Sequence, residues 1–155
     1  MKLSKIFKAP EKTSSSGRKS VFLAGSIEMD KAEDWQAKVS TALQDMEIDI
    51  YNPRRENWDA SWEQSIDDTN FRTQVEWELD HLDKATVIFM YFDKATKSPI
   101  SLLELGLYAT SGKLVVVCPD QFWRKGNVEV TCKRYNIPLF DNIEDGIKKL
   151  KTKLR

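Results

Sequence analysis

The stretch that decides the fold lies at residues 86–92 and reads TVIFMYF. Its nearly continuous hydrophobicity predicts a central parallel strand that helices cover on both faces. Shorter apolar runs at residues 20–24, 48–51, 114–118 and 137–140 predict further strands, with helical patterns between them. Because parallel neighbours need helical crossovers, the sequence predicts an α/β fold. We expect a flavodoxin-like, doubly wound sheet of five parallel strands in the order 2-1-3-4-5, with helices on both faces.

Length and charge limit the class of protein. The chain has 155 residues, and its 24 basic and 24 acidic residues give a formal net charge of zero. We predict a single domain at residues 19–155, preceded by a flexible, Ser-rich tail at residues 1–18. The balanced charge removes the electrostatic case for nucleic acid as a partner. No apolar run reaches the roughly 18 residues that a membrane span needs, and no secretory signal is evident, so we expect a cytoplasmic protein.

Metal and cofactor sites have few residues to draw on in this sequence. The two cysteines, Cys118 and Cys132, fit free thiols in a reducing compartment. With one histidine and no CxxC motif, we expect no metal site, and we interpret His81 as a structural or surface residue. The turn after the first strand matches neither the P-loop nor the Rossmann fingerprint, so we expect no cofactor.

The predicted fold places the candidate site at one edge of the sheet. In open parallel sheets, ligands bind beyond the carboxyl ends of the strands, at the topological switch. Residues 25–27, residues 93–98 and the chain from Pro119 onward meet at that edge, and the aperiodic loop at residues 52–70 can fold over them. Its tryptophans serve loop packing or stack against a planar heterocycle. The candidate ligand-contacting residues are Gly25, Ser26, Ile27, Asn52, Arg54, Trp58, Asp93 and Ser98.

Glu104 is the most informative residue, and it has two interpretations. The spacing from Ser101 to Glu104 matches a capping box, in which the glutamate only closes the helix start. However, Ser98-Pro99 is a stronger start signal, and it moves Glu104 into the second helical turn among leucines. A carboxylate in that setting is costly unless it has a partner or a task. The nearby helix N-terminus favours its ionised form, which suits a nucleophile.

An acidic stretch on the helix before the central strand offers a second carboxylate. Most such stretches are solvated helix faces. One member that leans over the strand ends would face Glu104 and give the paired carboxylates that glycosyl transfer uses. The acidic residues are Glu76, Glu78, Asp80 and Asp83.

Several motifs occur here in one order along the chain. They are GSI at residues 25–27, NPRR at 52–55 followed by Trp58, QVEWEL at 74–79, PISLLELG at 99–106 and GNV at 126–128. Together they resemble the nucleoside 2-deoxyribosyltransferase family over about residues 20–141. The PISLLELG motif adds Ser101 to the candidate substrate-binding residues.

The resemblance implies a retaining, two-step exchange at the N-glycosidic bond of a 2′-deoxynucleoside. Glu104 matches the family's nucleophile, which attacks C1′ and passes the sugar to a second base or to water. Glu78 best matches the acidic residue that binds the base, with Asp80 as the other candidate. Ser26 matches the loop near the sugar or base. Asn127 matches a residue donated by a neighbouring subunit, which implies a homo-oligomer with shared active sites.

Two alternatives stay open. The family also includes hydrolases of deoxynucleoside 5′-monophosphates, whose phosphate-binding loop is rich in Gly and Arg, whereas this chain has Glu-Met-Asp at residues 28–30. Arg54, Arg55 or Arg124 can hold a phosphate in its place. The third possibility is a non-catalytic module that binds a nucleoside or nucleotide.

Overall fold

The computed structural model describes residues 2–14, 16–27, 32–55 and 61–155. The strands are β1 (Lys5–Lys8), β2 (Ser20–Gly25), β3 (Asp49–Asn52), β4 (Val87–Tyr91), β5 (Leu114–Val117) and β6 (Leu139–Phe140). The helices are α1 (Trp35–Ala42), α2 (Thr69–Lys84), α3 (Pro99–Tyr108), α4 (Lys125–Arg134) and α5 (Ile143–Leu154). Within these ranges, no helix is both long enough and apolar enough to cross a membrane.

All the strands described pair in parallel in one sheet, in the order β1-β3-β2-β4-β5-β6. The five strands from β2 to β6 follow the predicted order 2-1-3-4-5, so the flavodoxin-like class is confirmed. The TVIFMYF stretch contains β4, which lies between β2 and β5, and its side chains from Val87 to Met90 are buried. A continuous apolar run therefore marks the strand that is covered on both faces, as the physics of parallel sheets requires.

The sheet described here has six strands rather than the five predicted, because the segment expected as a flexible tail contains β1. This strand pairs with β3 in the register Lys5↔Asp49 to Lys8↔Asn52. The chain after it is held by α2, where the Trp77 indole N–H donates to the Glu11 carbonyl at 2.8 Å. β1 reads KIFK, and its two apolar residues between lysines form neither an apolar run nor an alternating pattern that would mark a strand. Its hydrogen-bond partners come from distant parts of the chain.

Two apolar layers cover the sheet. On one face, α2, α3 and α4 pack over a core that includes Phe22, Ile88 and Leu105. On the other face, α1 and α5 pack over a core that includes Trp35 and Phe89. Alternate residues of each strand point to opposite layers, as the period of a strand dictates. Both faces are buried, and ligands can reach the sheet only at its edges.

Gly25 ends β2 in a conformation that only glycine adopts easily. Its φ is +135°, and a Cβ at this position would lie 2.1 Å from the carbonyl oxygen of Tyr91 on β4. The next amide, that of Ser26, donates to the same carbonyl at 3.0 Å. The missing side chain therefore lets the carboxyl ends of β2 and β4 close together.

We expect Gly25→Ala to lower the free energy of unfolding by about 3 kcal/mol or more, because strained backbone adds to a backbone clash. Gly112→Ala is the matched comparison: Gly112 also has a positive φ, of 75°, but its Cβ would meet nothing within 4 Å. That variant should lose only about 1 kcal/mol. Urea denaturation measures both, and equal losses would contradict the role given to the Gly25 contact.

Candidate active site

A cavity of about 830 Å³ opens at the carboxyl ends of β2 and β3, between α2 and α3. Its volume lies in the range of small-molecule sites. The lining is largely apolar and includes Phe22, Ile27, Phe71, Val75, Leu79, Ile100, Leu103 and Leu107. The charged and polar side chains among the lining residues are Arg55, Gln64, Gln74, Glu78, Ser98, Ser101 and Glu104. Among the described residues, no group of three or more His, Cys, Asp or Glu side chains is arranged to hold a metal ion.

The cavity brings together part of the residue set predicted from the sequence. These residues are Gly25, Ile27, Glu78, Ser98, Ser101 and Glu104. They come from three separate parts of the chain: the end of β2, the middle of α2 and the start of α3. The topological switch therefore gathers them as the sheet rule predicts.

Glu104 reaches the cavity from the second turn of α3. That helix begins at Pro99, and Ser98 precedes it with a left-handed φ of 46°. Ser101 consequently lies inside the helix, so the capping-box interpretation of Glu104 is wrong. Only 7% of Glu104 is exposed to solvent. A carboxyl group buried beside an apolar cavity needs a physical compensation or a function.

Glu78 and Glu104 act on each other across the cavity. Burial is the larger cause and the nearby charge of Glu78 the smaller one, and together they raise the pKa of Glu104 to about 8. Burial also raises the pKa of Glu78 to about 7, while a hydrogen bond from Gln74 opposes the increase. Two carboxyl groups in one poorly hydrated site do not both ionise readily, because each charge disfavours the other. The pair therefore holds a proton at neutral pH, where an exposed glutamate holds none.

Ser26 fixes the loop that leads into α3. Its hydroxyl lies 2.6 Å from the Ser98 hydroxyl and 2.9 Å from the Thr96 hydroxyl. It also accepts the Asp93 amide at 2.8 Å. Ser26 itself is buried beneath the cavity lining, and so is Asp93, whose carboxylate accepts the Ala95 amide. These two predicted contact residues hold the site's framework, and Ser98 links that framework to the cavity.

Asn52 and Arg54 lie outside the cavity lining. The Asn52 side-chain oxygen accepts the Arg54 amide at 3.0 Å, which closes a tight turn after β3. The Arg54 guanidinium turns toward α1, where it donates to Gln36 at 3.1 Å and pairs with Asp34 at 3.6 Å. The two arginines of the NPRR stretch therefore have different roles: Arg54 holds α1, and Arg55 lines the cavity.

Two further predicted residues, both described in the structure, are not among the lining residues. Asp80 is exposed on α2, two positions beyond Glu78, because a helix turns successive side chains to different faces. Asn127 is exposed on α4. Trp58 lies outside the described residues.

The sequence reasoning missed Gln74 as a site residue. Gln74 is only 4% exposed and precedes Glu78 by four positions on α2, a spacing that puts two side chains on one helix face. That spacing is the signal that was present in the sequence. Val75 and Leu79, four positions apart on α2, also line the cavity.

We expect Glu78→Gln to lower the pKa of Glu104, because it removes the like charge while leaving the burial in place. The pKa should stay above the ordinary 4.5, since burial is the larger cause. A carboxyl carbon-13 titration of the full chain measures it. Glu76→Gln is the control, because Glu76 is an exposed glutamate of the same helix, paired with Arg72 at 3.9 Å. A pKa of Glu104 that is the same in both variants would contradict the coupling.

Comparisons with known proteins agree with this fold. The profile of nucleoside 2-deoxyribosyltransferase-like proteins matches residues 18–122. Among solved structures, the chain is similar to the crystal structure of a conserved protein from Enterococcus faecalis, with a TM-score of 0.63 and 16% sequence identity. That similarity covers 88% of this chain and 99% of the other, and it supports the fold. Curated proteins give no significant match. The profile spans most of the chain, including Glu78 and Glu104, and it confirms the resemblance seen in the sequence: the chain belongs to the nucleoside 2-deoxyribosyltransferase-like family.

Proposed function

We propose that this protein cleaves the N-glycosidic bond of 2′-deoxynucleosides through a covalent deoxyribosyl ester on Glu104. The sugar then passes to another nucleobase or to water. The observation that carries the proposal is the pair formed by the buried Glu104 and the partly buried Glu78, facing one largely apolar cavity of about 830 Å³. Paired carboxyl groups are the chemistry that retaining glycosyl transfer uses. The family match supports the same reaction class.

In the first step, a carboxylate oxygen of Glu104 attacks C1′ and forms an ester bond. The bond between C1′ and the base nitrogen breaks, and its electron pair leaves with the base. Protonated Glu78 donates its proton to the departing base, so that a neutral base is released. The transition state resembles an oxocarbenium ion, which forms more readily without an electron-withdrawing 2′-hydroxyl and which a nearby carboxylate stabilises.

In the second step, the acceptor reverses these changes. A ring nitrogen of a second base attacks C1′, and the ester bond breaks with its electron pair returning to the Glu104 carboxylate. The acceptor's proton goes to Glu78. Water can replace the base as acceptor, and the product is then free deoxyribose. The apolar walls limit water around the ester, which favours transfer over hydrolysis.

The reactive state needs one proton on the pair, located on Glu78. Burial raises the pKa of Glu78 to about 7, and burial together with the charge of Glu78 raises the pKa of Glu104 to about 8. A pair that shares one proton is therefore populated around neutral pH. The higher pKa belongs to Glu104, so the proton favours that residue in the free protein, and the reactive state has it on Glu78 instead. The N-terminus of α3, less than two turns from Glu104, favours the negative charge on that residue.

One observation favours nucleosides over 5′-monophosphates as substrates. Among the described residues that line the cavity, Arg55 is the only cation. Its guanidinium stacks on Trp62 at 4.7 Å and donates to Gln74, so a phosphate would have to displace these contacts. A 5′-monophosphate hydrolase is the second candidate, because Arg55 stands at the cavity and charge-assisted bonds to phosphate are strong.

The proposal includes a homo-oligomer in which a second copy completes the site. Ile100, Leu103 and Leu107 line the cavity and yet are each more than half exposed, at 60%, 59% and 55%. Such an apolar wall is suited to burial against another protein surface. Asn127 is exposed on α4 and does not line the cavity of its own chain, so its implied role requires another copy.

We expect purified protein incubated with 2′-deoxyinosine and cytosine or adenine to form a new deoxynucleoside, measured by liquid chromatography. Glu104→Gln should lower that rate roughly 10³-fold or more, because the nucleophile is lost. Glu47→Gln, an exposed glutamate between α1 and β3, is the control and should keep the rate. Full turnover by Glu104→Gln would refute the covalent mechanism. Base release without a new nucleoside would mean hydrolysis, and a requirement for 5′-monophosphates would favour the second candidate.

The same variant provides its own folding control. A raised pKa means that wild-type protein loses stability as pH rises from the ordinary value of 4.5 through about 8, where Glu104 ionises while folded. Glutamine has no such ionisation. Glu104→Gln should therefore unfold at a higher temperature than wild type at pH 9, with the difference shrinking toward pH 5. An inactive variant that is less stable at pH 9 would indicate misfolding rather than loss of the nucleophile.

Subunit complementation tests the shared site. We expect Asn127→Ala to lower activity about 10- to 100-fold. When Asn127→Ala chains exchange subunits with Glu104→Gln chains, one site of each mixed dimer regains both wild-type residues. Activity should then return to roughly a quarter of the wild-type value. Light scattering and differently tagged copies verify the exchange. A monomer, or a mixed oligomer without recovered activity, would rule out a site shared through Asn127.

A further inference from the structure

We propose that Gln74 is a positioning residue whose amide, oriented by Arg55 and by the Pro53 carbonyl, presents an N–H to Glu78 and links that carboxyl to the loop after β3. The inference rests on the proposed function, because it assigns Gln74 a part in the proton transfer by Glu78. It adds Gln74 to the two carboxyl groups of the proposed mechanism, and it assigns the Arg55–Trp62 contact a role in orienting Gln74.

Gln74 is well placed to act on Glu78. It lies four positions earlier on α2, so both side chains project from the same helix face into the same cavity. Its side chain is buried, with 4% exposure. The two ends of a primary amide have similar shapes but opposite chemistry, since the oxygen only accepts and the nitrogen only donates. The effect of Gln74 on Glu78 therefore depends on which end faces the carboxyl group.

Two contacts set that orientation in the same sense. Arg55 Nη1 donates to Gln74 Oε1 at 3.3 Å, and a guanidinium cannot accept a hydrogen bond. Gln74 Nε2 donates to the Pro53 carbonyl at 3.3 Å, and a carbonyl cannot donate. A rotated amide would oppose oxygen to oxygen at Pro53 and nitrogen to nitrogen at Arg55. One N–H of Nε2 then remains for Glu78.

This N–H acts on the ionised form of Glu78. The hydrogen bond from Gln74 lowers the pKa of Glu78, against the increase caused by burial. A donor aimed at a carboxylate favours the charged state, and a donor removed leaves burial to act alone. The proton that Glu78 gives to the leaving base is therefore easier to release when Gln74 is in place.

Arg55 connects this arrangement to the loop. Its guanidinium carbon lies 4.7 Å from the centre of the Trp62 ring, a cation–π distance. Pro53 and Arg55 follow β3 directly, while Trp62 lies further along the same connection to α2. The orientation of the Gln74 amide therefore depends on how this connection packs over α2. A substrate that moves Arg55 would also move the donor that faces Glu78.

The test compares Gln74→Met, Arg55→Met and Arg55→Lys with Gln121→Met, which changes an exposed glutamine in the loop after β5. A carboxyl carbon-13 titration of the full chain follows Glu78. We expect Gln74→Met and Arg55→Met to raise its pKa by roughly one unit. Arg55→Lys keeps a donor to Oε1 and should restore most of the wild-type value, and Gln121→Met should match wild type. An unchanged or lowered pKa in both methionine variants would overturn the inference.

Kinetics give the second readout. In Gln74→Met, the fold decrease in kcat should be about ten times larger than the fold increase in KM. The alkaline limb of the pH profile should move to higher pH, together with the pKa of Glu78. Kinetic parameters and a profile equal to those of Gln121→Met would overturn the positioning role in an active enzyme. If wild-type protein shows no turnover, the proposed function fails, and the titration still decides the role of Gln74. Arg55→Met keeps the test valid if the buried Gln74→Met fails to fold.

Discussion

The close approach of β2 and β4 at their carboxyl ends is the constraint on which the rest of the site depends. Gly25 allows it, because any Cβ there would meet the Tyr91 carbonyl at 2.1 Å. The next residue, Ser26, then reaches the loop after β4 and holds it through the Ser98 hydroxyl and the Asp93 amide. With that loop fixed, α3 starts at Pro99 in one direction, and Glu104 comes to face α2. A backbone contact within the sheet thus sets the position of a carboxyl group six residues beyond the loop.

The cavity combines an apolar lining with two carboxyl groups, and the combination is costly for folding. Burial disfavours the charged forms, and the proximity of Glu78 and Glu104 disfavours a double charge. Proteins retain such arrangements where a proton must be held and moved near neutral pH. The surrounding structure compensates this cost of folding, since both glutamates project from helices that pack on the sheet.

The N-terminal segment supports the site through its contacts with α2. Trp77 and His81 project from α2 at three- and four-residue spacings from Gln74 and Glu78, so they lie beside those residues on the helix. Trp77 donates to the Glu11 carbonyl, and His81 bonds to Thr13 at 2.8 Å. Burial lowers the pKa of His81, so its ring is neutral and its Nδ1 donates to the Trp77 carbonyl. The part of α2 that presents Gln74 and Glu78 is therefore anchored, through the neighbouring Trp77 and His81, to the chain around β1. That anchoring is part of what keeps Glu78 in place.

The sequence by itself determined the periodic elements and their order, because a buried strand and an amphipathic helix each need a local pattern that repeats over several residues. It also pointed to Glu104, since a carboxyl group amid leucines is visible locally, and to an acidic stretch from which the family resemblance, not the local pattern, selected Glu78. Only the tertiary structure decided that β1 joins the sheet, that Arg54 braces α1 while Arg55 reaches the cavity, and that Ser26 supports the loop beneath the cavity. These outcomes depend on pairings between distant segments and on the direction of each side chain. Neither leaves a repeating pattern in the chain.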